Sequence, residues 1–266
     1  MKNIAIVGLG NMGQALLKGM LNSKAVDRKN VIGIEKDKSK ADFVTENLNV
    51  KVFDNFEALK NVQTIIIAVK PQNIEEVLEK IKKIAEKKII ISIVAGITVN
   101  FIKKYLKNSK IVRCMPNTPA LVLNGITGVY CDIVVNDEEK EIVKGILSSF
   151  GEVIFFENED DIDKVTALSG SGPAYVFYFI DALIEAGVFI GLSRENAHQL
   201  VKKTFEGSLA LLAQTSKEPS LLKAMVTSPA GTTINALKIF EKEGLKGTIM
   251  DAVMAAYKRS KELGRG

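Results

Sequence analysis

The feature that most constrains this chain is a short apolar run followed at once by three spaced glycines. Ile4–Val7 is apolar at every position, which is typical of a strand covered on both faces of a parallel sheet. The turn Gly8-Leu-Gly10-Asn-Met-Gly13 follows, and apolar residues at helical spacing come after it. In this context Gly8 allows a tight turn, Gly10 lets backbone approach a pyrophosphate, and Gly13 lets helix pack on strand. The N-terminus therefore predicts a dinucleotide-binding domain.

Apolar runs and helical patterns alternate through the first part of the chain and then give way to helical patterns alone. This alternation predicts a doubly wound, Rossmann-like sheet over residues 1–162. Beyond it, residues 163–266 are predicted to form an all-helical domain. The predicted fold class is therefore α/β with a C-terminal all-α domain. The runs that predict strands after the first cover residues 31–34, 50–53, 64–69, 89–94, 110–115, 128–131 and 153–156.

Charged residues at the end of the second predicted strand bear on the choice of cofactor. Glu35 lies where an acid commonly accepts hydrogen bonds from the adenosine ribose hydroxyls and repels a 2′-phosphate. Lys36 and Lys38 favour the opposite preference, because they could pair with that phosphate, although both could equally be solvated surface charges. The sequence leaves NADH and NADPH open, and we expect both to be used.

Two segments of mostly small residues follow buried strands. They are Val69-Lys70-Pro71 and Val94-Ala95-Gly96. Ligands of an open parallel sheet lie beyond the carboxyl ends of the strands, so both segments are predicted to lie beside the glycine turn. Small residues there would let a nicotinamide ribose approach, whereas Lys70 could also be a solvated strand end.

Composition excludes several other kinds of protein. The net charge of +5 is spread over lysines interleaved with glutamates, so no basic stripe indicates a nucleic-acid partner. Cys114 and Cys131 have no metal-ligand spacing, which predicts neither a metal site nor a disulfide and favours the reducing cytoplasm. A single histidine, His198, argues against a zinc site and a Ser-His-Asp triad. No signal peptide is recognised at the N-terminus.

The long apolar segment at residues 174–192 contains Asp181 and Glu185, which favour a buried helix of a soluble protein over a membrane span. A helix that is apolar on nearly every face must be covered on all sides. The other helices predicted in this domain are too few to cover it. We therefore predict a homodimer with interleaved helices.

A hydroxyl-rich turn at residues 227–231 precedes another helical pattern. Small residues that lead into a helix leave several backbone N–H groups unpaired, and the helix dipole adds positive potential there. Such a site suits an anion, for example a substrate carboxylate. The hydroxyls of Ser228, Thr232 and Thr233 would add donors. The alternative is an ordinary helix capped by a threonine.

Three stretches resemble the pyrroline-5-carboxylate reductases, and the resemblance covers essentially the whole chain. They are Arg113-Cys-Met-Pro-Asn-Thr-Pro119, Ala167-Leu-Ser-Gly-Ser-Gly-Pro-Ala-Tyr175 and Thr227-Ser-Pro-Ala-Gly-Thr-Thr-Ile-Asn-Ala-Leu237. The last is specific to the family. It departs from many relatives at Ala230, where they have glycine. If that position needs a positive φ, alanine would cost about 1 kcal/mol.

The resemblance implies reduction of 1-pyrroline-5-carboxylate to L-proline by NADPH or NADH, the last step of proline biosynthesis. It places Thr233 near the ring nitrogen as the catalytic residue. It assigns the carboxylate to Ser228 and the backbone amides of Gly231, Thr232 and Thr233. It also implies intertwined dimers through the helical domain, often assembled into decamers, with helices of the partner at the active site. The implied cofactor contacts are Gly8, Leu9, Gly10, Asn11, Met12, Gly13, Asn55, Ala68, Val69, Lys70, Pro71, Val94, Ala95 and Gly96.

Two other functions fit the same plan. A β-hydroxyacid dehydrogenase would use a catalytic lysine, for which Lys164 and Lys202 are the candidates. A non-enzymatic dinucleotide sensor or scaffold would bind cofactor and only dimerise through its helices. Fold alone does not separate them from an imine reductase.

Overall fold

The computed structural model describes residues 3–264, which divide into two compact units. The first unit comprises the described part of Met1–Ser171 together with that of Ala256–Gly266. The second unit is Gly172–Ala255. The domain boundary predicted between residues 162 and 163 stays a prediction.

The first unit contains an eight-stranded sheet. Its strands, numbered β1 to β8 along the chain, lie in the order β3-β2-β1-β4-β5-β6-β7-β8. Every neighbouring pair is parallel except β6 and β7, which are antiparallel. The strands are β1 Ile4–Val7, β2 Val31–Ile34, β3 Lys51–Phe53, β4 Thr64–Ile67, β5 Ile89–Ser92, β6 Lys110–Met115, β7 Gly125–Cys131 and β8 Gly151–Phe156.

Helices cover both faces of this sheet. Ile4 and Ile6 of β1 point into a core with α1 and α5, whereas Ala5 and Val7 point into a core with α3 and α4. This alternation is the side-chain period of a strand buried on both faces, and it confirms the doubly wound fold class. The helices of this unit are α1 Asn11–Asn22, α2 Lys38–Leu48, α3 Ile74–Ile81, α4 Val99–Tyr105, α5 Asp137–Leu147 and α6 Asp160–Val165.

The antiparallel pair departs from the predicted βαβ alternation. Between β6 and β7 the chain makes only the 3₁₀ helix Thr118–Val122, and Leu123 adopts a left-handed φ of 59°. A connection without a full crossover helix returns the chain antiparallel. Strand β7 begins at Gly125, earlier than the predicted start at residue 128.

The second unit is all-helical and has almost no core in a single chain. Of its apolar side chains, all of which the structure describes, only Ile184 and Ala197 are buried. Phe177 and Phe189 are 66% and 91% exposed, so the helices of a single chain leave the long apolar helix uncovered, and its predicted burial would need a second chain. The helices are α7 Gly172–Phe189, α8 Arg194–Thr215, α9 Pro219–Met225, α10 Thr232–Lys242 and the first part of α11 Leu245–Leu263.

Among the described residues, one helical stretch, Asp160–Phe189, is long and apolar enough to cross a membrane by length and composition. Only 6% of its most apolar window is buried. Asp181 and Glu185 lie within the stretch.

Candidate functional site

A crevice of about 430 Å³ opens in the first unit where β1, β2 and β4 end. Ligands of doubly wound sheets bind at this edge, beyond the carboxyl ends of the strands. The crevice is therefore the candidate cofactor site. Its lining consists of Val7, Gly8, Gly10, Ile34, Glu35, Lys36, Asp37, Lys40, Asp54, Phe56, Ala68, Val69, Lys70, Gln72, Asn73, Glu76, Val77 and Lys80.

The three glycines of the first turn have the geometry of a pyrophosphate cradle. Gly8 has a φ of +95°, and a β-carbon on it would lie 2.8 Å from the carbonyl oxygen of Ala68. A β-carbon on Gly13 would lie 2.1 Å from the carbonyl oxygen of Gly8, so only glycine lets α1 approach. Gly10 instead has an ordinary φ of −69° and open space where a β-carbon would be. No side chain caps α1 at Gly10, so the turn and helix start fit the phosphates of a dinucleotide.

The carboxylate of Glu35 braces this turn. Its Oε2 accepts from the backbone N–H of Leu9 at 2.8 Å, and its Oε1 accepts from that of Asp37 at 3.0 Å. A carboxylate oxygen has a second acceptor position, so both oxygens keep capacity for ribose hydroxyls. The sequence placed Glu35 at the crevice but did not reveal this bracing role.

Two of the lysines that line the crevice come from the segment after β2, and one of them was not expected there. Lys36 lines it as predicted, whereas Lys38 does not, and Lys40 does. Lys40 Nζ pairs with Asp37 Oδ2 at 3.1 Å. Hydrogen bonds from Ser39 and Lys40 lower the pKa of Asp37 to about 2, so this carboxylate is ionised near neutral pH.

Five other residues expected at the cofactor do not line the crevice: Leu9, Asn11, Met12, Gly13 and Pro71. Leu9 is fully buried; its N–H donates to Glu35, and its carbonyl accepts from Gln14 Nε2 at 2.9 Å. Asn11 is the exposed first residue of α1, and Met12 packs against the core. Pro71 begins a 3₁₀ turn ahead of α3. Their contacts with a cofactor stay predictions.

Asn55 has a local structural role instead. Its Oδ1 accepts from the backbone N–H of Glu57 at 3.2 Å, which starts a 3₁₀ turn. Asp54 and Phe56, on either side of it, line the crevice, and Asn55 does not. The predicted contact of Asn55 with the cofactor also stays a prediction.

The segment after β5 lies outside the crevice and meets the C-terminal end of α11. Val94 is 3% exposed and belongs to the core. Gly96 has a φ of +77°, and a β-carbon on it would lie 2.9 Å from the β-carbon of Leu263 in α11. Neither residue, nor Ala95 between them, is part of the crevice lining. Their cofactor contacts remain predictions.

A buried ionic cluster lies beneath this segment. Arg113 is 2% exposed; its Nη2 donates to Asp163 Oδ1 at 2.9 Å and its Nη1 donates to Glu159 Oε1 at 3.2 Å. Ser260 Oγ donates to the same Asp163 oxygen at 2.6 Å. Glu159 Oε1 also accepts from the backbone N–H of Val99 at 2.7 Å. Because a buried charge must be paired, the cluster joins four separate parts of the first unit.

Two of the three stretches that carry the family resemblance meet in the first unit. Asn117 Nδ2 donates to Ser169 Oγ at 3.2 Å, and Asn117 Oδ1 accepts from the backbone N–H of Ile126 at 3.0 Å. Ser169 lies in a short π-helical segment, Thr166–Gly170. Such segments are rare and are frequent at functional sites.

The third stretch forms the start of α10 in the second unit. Gly231 is at the N-cap position, Thr232 is the first helical residue, and no side chain caps the helix. The alternative of an ordinary threonine cap is therefore wrong. The hydroxyl of Ser228 lies against Gly231, since a β-carbon there would be 2.4 Å from it. The N–H of Gly231 donates to the carbonyl of Ser228 at 3.2 Å, whereas no side chain caps the N–H groups of the first helical turn. These N–H groups and the nearby hydroxyl form a site that suits an anion.

One of the two lysines considered for a dehydrogenase, Lys164, is poorly suited to act as a base. Lys164 Nζ pairs with Asp161 Oδ1 at 2.6 Å, and this contact raises the pKa of Lys164. Lys202 is exposed on α8. A catalytic base needs a lowered lysine pKa, so the first candidate is disfavoured.

The thiols are also unlike reactive groups. Cys114 and Cys131 are free, and burial raises the pKa of both, in the case of Cys131 to about 11. Both side chains are therefore protonated near neutral pH.

Similarity to known proteins extends over both units. Residues 159–263 match the family model described as pyrroline-5-carboxylate reductase dimerisation, and residues 3–96 match that described as NADP oxidoreductase coenzyme F420-dependent. The pyrroline-5-carboxylate reductase of Aquifex aeolicus is 40% identical over 261 residues, which are 98% of this chain and 97% of that protein.

Two solved structures share the fold along nearly the whole chain. A pyrroline-5-carboxylate reductase from Coxiella burnetii superposes with a TM-score of 0.92 at 36% identity and covers 98% of both chains. The Plasmodium falciparum pyrroline carboxylate reductase with NADP bound gives 0.89 at 35% identity, over 99% of this chain and 98% of that one. The chain belongs to the pyrroline-5-carboxylate reductase family.

Proposed function

We propose that this protein reduces 1-pyrroline-5-carboxylate to L-proline with NADPH or NADH, the last step of proline biosynthesis. One observation carries the proposal. Full-length relatives named for this activity match the chain across both units, a length that includes the glycine turn and the loop before α10. An enzyme of this kind needs a reduced nicotinamide and a grip on an imino acid, and these two features supply residues for each.

The first unit would hold the cofactor. The turn from Gly8 to Gly13 would bind the pyrophosphate, since it combines a left-handed glycine, an open glycine and an uncapped helix start. Glu35 would accept from the adenosine ribose, and Lys36 would pair with a 2′-phosphate when NADPH is used. The bound cofactor supplies the hydride. Having both an acid and a lysine at this end supports use of both cofactors.

The loop before α10 would hold the substrate. Ser228 and the amides of Gly231, Thr232 and Thr233 would bind the carboxylate, because α10 begins without a side-chain cap. Thr233 Oγ1 would hydrogen-bond the ring nitrogen and orient the C=N bond. A threonine hydroxyl is too weak an acid to protonate that nitrogen without a relay, so the imine takes its proton from solvent. The main contribution of these residues is then orientation.

The second unit would form the subunit interface of a homodimer, which assembles further into a decamer. The support is the nearly absent core of this unit in a single chain, where Ile184 and Ala197 are the buried apolar side chains. The match of residues 159–263 to a dimerisation family model also supports a homodimer. We place the enzyme in the cytoplasm, where Cys114 and Cys131 stay reduced, without a nucleic-acid or membrane partner.

The function is tested by steady-state turnover of 1-pyrroline-5-carboxylate with NADH and NADPH in parallel. Oxidation of the nicotinamide is followed optically, and L-proline is identified by mass spectrometry. A β-hydroxyacid with the oxidised cofactors serves as the control substrate. We expect proline with both cofactors and no turnover of the hydroxyacid; no proline with either cofactor would overturn the proposal.

A further inference from the structure

The loop from residue 93 to residue 98 connects β5 to α4 and is held from two directions within the first unit. Strand β5 is the neighbour of β4, whose end lines the crevice. The loop therefore begins at the same ligand-binding edge of the sheet. It carries Val94, Ala95 and Gly96, which were predicted to contact the nicotinamide end of the cofactor.

The first hold on this loop is a carboxylate. Glu159 Oε1 accepts from the backbone N–H of Val99 at 2.7 Å and from Arg113 Nη1 at 3.2 Å. Val99 is the first residue of α4, and Thr98 before it caps the helix. Glu159 therefore fixes the point at which the loop enters its helix.

The second hold is the C-terminal end of α11. Ser260 in α11 donates to Asp163 Oδ1 at 2.6 Å, and Leu263, one helical turn later, packs on Gly96. Asp163 also accepts from Arg113 at 2.9 Å. One buried arginine thus connects both holds.

The charges indicate why Glu159 is present. Arg113 already has a buried counter-ion in Asp163, so a second carboxylate is not needed to neutralise it. Glu159 is less buried than Asp163, with 22% of its side chain exposed against 7%. The contact that only Glu159 makes is to the backbone N–H of Val99.

We propose that Glu159 is a positioning residue for the cofactor: through the N–H of Val99, and with Ser260 and Leu263 on the other side, it fixes the loop that receives the nicotinamide end. The inference rests on the proposed use of NAD(P)H. Glu159 itself does not line the crevice.

The test compares Glu159→Ala with Glu159→Gln, which keeps an acceptor oxygen, and with Glu157→Ala, which removes an exposed carboxylate nearby. Two readouts are used: hydrogen exchange at the Val99 amide without cofactor, and NADPH affinity by fluorescence titration. For Glu159→Ala we expect about tenfold faster exchange and about tenfold weaker NADPH binding, since a hydrogen bond to a charged group is lost. Glu159→Gln should recover most of both effects, and Glu157→Ala should resemble the wild type. The KM for 1-pyrroline-5-carboxylate should change less than the KM for NADPH.

A folded Glu159→Ala that binds NADPH within about twofold of the wild type would overturn the proposal, as would a Glu159→Gln that is as impaired as the alanine variant. If Glu159→Ala does not fold, Glu159→Asp takes its place, because its shorter side chain draws the carboxylate back from the Val99 N–H and should show the same two losses; Ser260→Ala tests the second hold. Ser260→Ala should speed exchange in residues 93–98 and weaken NADPH binding, and unchanged values would refute the second hold. The titration needs no imine, so a wild type that binds NADPH without forming proline would refute the proposed function alone.

Discussion

At the scale of single residues, Ala230 carries backbone strain in the loop before α10. Its φ is +55°, which favours glycine. A β-carbon in the left-handed region costs about 1–2 kcal/mol, and glycine gives back part of that through the unfolded state. We predict that Ala230→Gly stabilises the protein by about 0.5–1 kcal/mol. Chemical denaturation at equal protein concentration measures this, because an oligomer's stability depends on concentration.

Ala224→Gly is the matched control for that change. Ala224 lies within the α9 helix, where glycine is unfavourable, so the same substitution should destabilise by about 0.5–1 kcal/mol. Opposite signs at the two positions would show that φ, and not the loss of a methyl group, sets the outcome. Destabilisation by Ala230→Gly would contradict the assignment of strain.

Thr233 provides the residue-scale test of the chemistry. We predict that Thr233→Ala lowers turnover of 1-pyrroline-5-carboxylate by about tenfold or more, since it would remove the proposed orienting hydrogen bond to the ring nitrogen. Steady-state kcat and KM with saturating NADPH are the measurement. Thr204→Ala, on α8, removes a hydroxyl that donates to the carbonyl of Leu200 and should leave both constants unchanged. Unchanged constants in Thr233→Ala would remove this residue from the mechanism.

At the scale of elements, substitutions in the glycine turn can separate an effect on cofactor binding from an effect on folding. Gly10 has an ordinary φ and open space around it, so Gly10→Ala should fold normally but place a methyl group where the pyrophosphate is proposed to lie. Gly13→Ala should instead destabilise the unit by about 2 kcal/mol or more, because its β-carbon would lie 2.1 Å from the Gly8 carbonyl oxygen. Gly13→Leu is expected to weaken cofactor binding further by forcing α1 away.

Thermal unfolding without cofactor and fluorescence titration with NADPH measure the two effects. We expect Gly10→Ala to lose about tenfold in NADPH affinity with nearly unchanged unfolding. Normal NADPH binding by Gly10→Ala would argue against the pyrophosphate position. Normal stability of Gly13→Ala would argue against the close packing of helix on strand.

The sequence predicted the buried strands better than their connections. The bounds of Ile4–Val7, Val31–Ile34 and Lys110–Met115 are confirmed, since strands covered on both faces leave continuous apolar runs. The start of β7 was missed because Gly125 and Gly128 interrupt its apolar pattern. The 3₁₀ turn ahead of α3 was also missed; Asn73, its last residue, makes no side-chain capping bond to the helix.

The sequence likewise predicted some parts of the candidate site and could not predict others. Gly8, Gly10 and Gly13 are close in sequence, so their spacing alone predicted the turn. The partners of Arg113 could not be found this way, because Asp163 lies 50 residues away and the bond from Ser260 to Asp163 spans 97 residues. An arginine within an otherwise largely apolar strand was the available signal, and it indicates a buried partner without identifying it.

At the scale of the whole molecule, the second unit lacks enough buried apolar surface to be stable in a single chain. Phe177 and Tyr178 on α7 are 66% and 74% exposed. Helical units are stable when their apolar faces are covered, and in this unit a second copy of the chain would supply the cover. The proposed dimer is thus an expected condition of folding for this unit as well as of activity.

We predict that the wild type is at least dimeric at micromolar concentration and that Phe177→Glu weakens or abolishes the dimer. Burying a phenylalanine contributes about 1.5–3 kcal/mol, and each subunit would lose that contribution and gain a desolvated charge. Phe43→Glu is the matched control, because Phe43 is 42% exposed on α2 in the first unit. Sedimentation velocity should show smaller species for Phe177→Glu and an unchanged assembly for Phe43→Glu. In the turnover assay, Phe177→Glu should form less proline. A monomeric wild type, or a Phe177→Glu variant that assembles normally, would contradict an interface at α7.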